Sequence, residues 1–123
     1  MKKIRIPILN DEYAVYMITG KEKDVEKFIH HHFEDKTIFI GLEGNRGKTF
    51  YRPGYMPVIW MDNLKPFEFA GTLSHEAVHA VDFIFTSIGE PETRGELFAH
   101  SVGAIVRNGV KNSLTSKQEE EKV

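Results

Sequence analysis

The chain contains no cysteine. Disulfides, thiolate zinc ligands, cysteine nucleophiles and iron–sulfur clusters are therefore excluded. A small secreted domain would more often carry disulfides, so this absence favours the cytoplasm. Apolar runs long enough to span a bilayer, about 20 residues, are also missing. The opening MKKIRIPILNDEY starts basic but breaks its apolar residues with Arg5, Pro7 and Asn10, so it does not read as a secretory leader. Charge of one sign is scarce too. The net charge is −2, with lysines and arginines spread along the chain, and no basic block offers itself to phosphates. Neither nucleic acid nor membrane is expected as a partner.

What remains is an ordinary globular balance, 41% hydrophobic and 28% charged over 123 residues, enough for one core. Ile4, Ile6 and Ile8 alternate, which is strand periodicity, and Pro7 places that strand at an edge. Tyr13–Thr19 is a second β run after a turn at Asn10-Asp11. Residues 21–34 carry Val25, Phe28 and Ile29 at helical spacing. The runs 37–42, 48–51 and 57–61 read as further strands, with Pro53 and Pro57 confining their surroundings to edges and turns.

From Pro66 the period becomes helical and holds to Ile88. Pro66 suits a first turn and Gly89 a stop. A second helix is expected from Pro91 to about 106 or 107, ended by Asn108-Gly109. The order β-β-α-β-β-β-α-α predicts an α+β fold: a mostly antiparallel N-terminal sheet with one helix, then a helix pair. One domain is expected over 1–112, with a polar, frayed tail over 113–123.

The helix from Pro66 contains His75-Glu76-Ala77-Val78-His79. Residues four apart share a helix face, so both imidazoles can reach one tetrahedral metal. Glu76 lies about 100° around the axis, off the ligand row but within reach of a water there. A neutral-pH hydrolase needs that set, because a metal lowers the water's pKa and a carboxylate takes and returns its proton. The uncharged flanks Thr72, Leu73, Ala77, Val78, Ala80 and Val81 suit a metal site. The competing reading is a surface helix with two incidental histidines.

The stretch Thr72–Val81 resembles the extended HExxH signature of zincin metallopeptidases. The resemblance implies a zincin-like domain, a zinc-dependent metallopeptidase with one Zn²⁺ per chain, His75 and His79 as ligands and Glu76 as general base. A metzincin would need histidine where Phe85 stands, and a deformylase-type site would need cysteine. The remaining gluzincin arrangement takes a glutamate from a second helix. That implies Glu96, with Glu92 as the other candidate. His100, four residues after Glu96, stands where gluzincins usually carry an acid, so it is either a supporting group, a ligand or a transition-state contact. Asp82 shares the histidine stripe and is a candidate hydrogen-bond partner for a ligand imidazole. In zincins an edge strand before the motif helix pairs with extended substrate, which implies Val58, Ile59 and Trp60 as the substrate strand. A peptide or protein is the implied substrate, and a partner protein is a further possible requirement.

Other residues are weaker candidates. Tyr51, Tyr55, Arg94 and His100 are side chains of the type that stabilises an oxyanion. His30, His31 and His32 point in different directions on a helix and read as a surface or packed face. GNRGKT lacks the glycine spacing of a phosphate loop, since Leu42 stands where glycine is needed. The alternative to a peptidase is a zincin-like binding or regulatory domain with a structural or vestigial metal site.

Overall fold

The computed structural model describes residues 1–89 and 95–121, with side chains through residue 113. Its elements are β1 (Lys2–Ile8), β2 (Tyr13–Thr19), α1 (Glu22–His32), β3 (Gly47–Phe50), β4 (Val58–Met61), α2 (Pro66–Ser87) and α3 (Glu96–Glu121). This is the small α+β fold expected: a four-stranded sheet with three helices.

The sheet order is β1-β2-β4-β3. β1 and β2 pair antiparallel, as do β3 and β4, while β2 and β4 run parallel. Pro7 sits on β1, at one edge, where its missing N–H breaks no interior ladder.

Alternation sends side chains to two cores, one on each face of the sheet. Val15, Met17, Ile59 and Met61 pack beneath α2 and α3 with Leu73, Ala77, Val81 and Ile84. Ile18, Val58 and Trp60 face the opposite way, against Val25, Ile29 and Phe33 of α1. Helices cover both faces, so β4 is buried along its whole length. That burial is why PVIWM reads as a continuous apolar run.

The β run expected over 37–42 is not a strand. Ile38, Ile40 and Leu42 are buried and Phe39 is exposed, so the period-two pattern is obeyed. The backbone finds side chains in place of a ladder. His30 Nε2 bonds the Ile38 carbonyl at 2.9 Å, Lys48 Nζ donates to the Ile40 carbonyl at 2.7 Å, and the Leu42 N–H donates to Glu22 at 2.7 Å. With these groups satisfied, the segment needs no strand partner.

α2 begins with Pro66 in its first turn after an extended Lys65, and Gly89 leaves it at φ +75°. α3 does not stop at Asn108-Gly109. Gly109 is buried within the helix, and a Cβ there would meet Leu73 Cδ2 at 2.4 Å and Met17 Sδ at 3.0 Å. The glycine is a point of close approach between α3, α2 and the sheet, and the helix continues to Glu121, through the segment read as a tail. Among the described residues, no helix is long and apolar enough to cross a membrane.

Candidate metal centre

Helix α2 builds the site from three consecutive features of its own surface. Leu73, Ala77, Ala80 and Val81 are fully buried in the core. Fixing that face turns His75 and His79 outward, one helical turn apart, where both are exposed. Their rings approach at 4.8 Å between centroids, nearly perpendicular, with the two Nε2 atoms 3.2 Å apart. Two ligands held at 2.0–2.1 Å on a tetrahedral zinc would stand about 3.3–3.4 Å apart. The pair therefore fits one edge of a zinc tetrahedron. The same distance permits an N–H···N bond between two neutral imidazoles of complementary tautomer.

Glu76 takes the flank between the core and the histidines, and its side chain is only 12% exposed. A carboxylate this buried requires a hydrogen-bond donor. Thr49 of β3 provides it: the hydroxyl donates to Glu76 Oε1 at 2.8 Å and lies 3.1 Å from the Glu76 backbone carbonyl. The other oxygen, Oε2, stands 4.0 Å from His75 Nε2. Thus one carboxylate oxygen is anchored to the sheet and the other faces the histidine pair.

Strand β3 runs along this flank. A Cβ on Gly47 would lie 2.9 Å from Thr72 Cγ2, 3.1 Å from Glu76 Cγ and 3.1 Å from Met61 Sδ. Tyr51, just past the strand, packs on Phe83 at 4.9 Å. Thr72, Glu76, His79 and Phe83 form one ridge of α2, at spacings of four, three and four. β3 borders that ridge, and among the described residues its other side has no strand partner.

This corrects the substrate-strand assignment. Val58, Ile59 and Trp60 lie in β4, which is paired on both sides and buried on both faces. No peptide can add to it. The sheet edge beside the motif helix belongs to β3, the strand expected over 48–51.

The glutamate expected from the second helix is not at the pair. Phe85 of α2 meets Phe98 of α3, while Leu73 lies against Gly109, so the helices are antiparallel. The part of α3 level with the histidines lies between those contacts. Glu96, beyond Phe98, sits at the far end of α2. It is almost fully exposed, and its carboxylate stands 3.8 Å from His100 Nε2, one turn along the same helix. His100 is thereby engaged with Glu96 on an exposed surface. Asp82 is exposed one turn past His79. Among the described residues no three His, Asp or Glu side chains stand together as a metal-holding group. Glu92 and Arg94 lie outside the described residues.

Tyr55 points elsewhere. Its phenol donates to Glu34 at 2.6 Å, and that bond pushes its pKa up. His32 bonds the Met56 carbonyl at 2.8 Å and packs among Tyr16, Phe28 and Phe33. With His30 held by Ile38, these two members of the triplet serve packing and backbone satisfaction. Sequence reasoning missed Thr49 and Gly47. The only signal was their two-residue spacing in a short β run, which places both on one face.

No family model, curated protein or solved structure matches this chain.

Proposed function

We propose that the chain is a zinc-dependent metallopeptidase whose working unit is His75, Glu76 and His79. The observation that carries this reading is the convergence of the two Nε2 atoms to 3.2 Å beside a buried, anchored carboxylate. His75 and His79 are the residues that would hold the ion, and Glu92 remains a sequence candidate for a third ligand. When bound, zinc supplies Lewis acidity and a water of lowered pKa at neutral pH.

The protein's own groups do the rest. Glu76 takes the water proton through Oε2 and returns it to the leaving amine, while Oε1 stays on Thr49. An extended peptide adds to the free edge of β3 by main-chain hydrogen bonds, which lays it along the ridge that carries Glu76 and His79. A four-residue edge gives few such bonds, which suits a short recognition segment in a protein substrate.

The test is hydrolysis of a quenched fluorescent peptide pool by the zinc-loaded protein and by Glu76→Gln. Turnover in the wild type and none in the variant, at equal zinc content, supports the reading. Equal turnover in both removes it.

A second reading is a zincin-like binding or regulatory domain without peptidase activity. The pairing of Glu96 with His100, away from the histidines, favours it, because it leaves two described ligands for a metal. Zinc binding without turnover of any peptide in the pool would decide for that reading.

A further inference from the structure

A buried carboxylate on a helix has several rotamers open to it unless something outside the helix selects one. In Glu76 the selection comes from β3. Two contacts reach it from that strand, the Thr49 hydroxyl on Oε1 at 2.8 Å and the same hydroxyl 3.1 Å from the Glu76 carbonyl, and Gly47 lies close enough that a Cβ there would come within 3.1 Å of Glu76 Cγ. Gly47 and Thr49 are alternate residues of one short strand, so both face α2. The hydroxyl has one proton, and the shorter contact, to Oε1, is the one it serves best. Oε2 is then left on the side of His75, 4.0 Å from Nε2.

We infer that Thr49 is the positioning residue of Glu76: its hydroxyl anchors one carboxylate oxygen so that the other is presented to the histidine pair. The functional consequence rests on the hydrolase reading of the site, but the structural hold does not. Glycine at position 47 is part of the same device. It leaves space for the Glu76 side chain between strand and helix. The base is thus positioned from the edge strand and not from its own helix. A misplacement of about 1 Å at a catalytic group is enough to cost on the order of 100-fold in rate.

The experiment compares wild type, Thr49→Val and Thr49→Ser by two readouts. The first is the Glu76 side-chain rotamer in metal-free protein, from NMR of ¹³C-labelled glutamate. The second is kcat and KM on the quenched peptide pool at measured zinc content. The expected result is one rotamer in wild type and Thr49→Ser and several in Thr49→Val. In Thr49→Val kcat falls about 10- to 100-fold, KM and zinc content stay unchanged, and serine restores the rate. A single unchanged rotamer in Thr49→Val overturns the inference, whatever the zinc content. So does a dispersed rotamer with unchanged kcat. A dispersed rotamer in a protein that takes up no zinc upholds the hold on Glu76 and removes the hydrolase reading instead.

Discussion

At the scale of single residues, the site depends on small differences of volume and of hydrogen bonding. Gly47 is the sharpest case. An added methyl would press on Thr72 Cγ2, Glu76 Cγ and Met61 Sδ at once. Two of these belong to a packed helix, and Met61 is fully buried, so little can give way. Gly47→Ala is expected to cost about 1–3 kcal/mol by overpacking, measured by urea unfolding, and to lower hydrolysis through displacement of Glu76. Unchanged stability would mean that the strand and helix separate easily. His75→Ala and His79→Ala act differently. Each removes one of two converging nitrogens and is expected to abolish zinc uptake, measured by calorimetry. As both side chains are exposed, neither should change metal-free stability by more than about 0.5 kcal/mol.

At the scale of elements, the register of α3 on α2 decides where its acids fall. Gly109 sets that register by letting α3 close on Leu73 and Met17. Gly109→Ala is expected to destabilise the fold by about 1–3 kcal/mol in chemical denaturation. It should leave zinc uptake by the histidine pair within about threefold, because both ligands sit on α2. A large loss of zinc affinity would mean that α3 contributes to the metal centre.

These elements also show what was legible beforehand. His75, Glu76 and His79 were readable because their geometry is local: one helix and a fixed 3.6-residue period determine which faces they occupy. Glu96 stands away from the pair because its position depends on a helix–helix register. That register is set by Phe85–Phe98 packing and by a glycine that resembled a stop signal. Val58–Trp60 was expected at an edge because the zincin resemblance places the substrate strand just before the motif helix, and Pro57 agreed with that. Yet a proline just before a strand costs only one donor, and its carbonyl still accepts the Tyr16 N–H at 3.0 Å. The 37–42 run had the period of a strand but no strand partner, since its backbone is satisfied by His30, Lys48 and Glu22.

At the scale of the whole molecule, the sheet carries one core on each face. The candidate centre lies at the margin of the larger one, where α2 meets β3. Folding of that margin and binding of a metal are then linked. An ion that binds the folded chain alone stabilises it by RT ln(1 + [L]/Kd), about 2.7 kcal/mol at a hundredfold excess over Kd. Zinc is therefore expected to raise the melting temperature of the wild type and to leave that of His79→Ala unchanged. A similar rise in both would place the zinc effect elsewhere, the exposed His31 of α1 being the first alternative.

The central claim is that His75 and His79 form a zinc site. Its most direct test is elemental mass spectrometry of the native protein after zinc loading and desalting, alongside His75→Ala, His79→Ala and Glu96→Ala. The expected result is one zinc per chain in wild type and in Glu96→Ala, and none in either histidine variant. Wild-type protein without zinc, or histidine variants that keep it, would contradict the account.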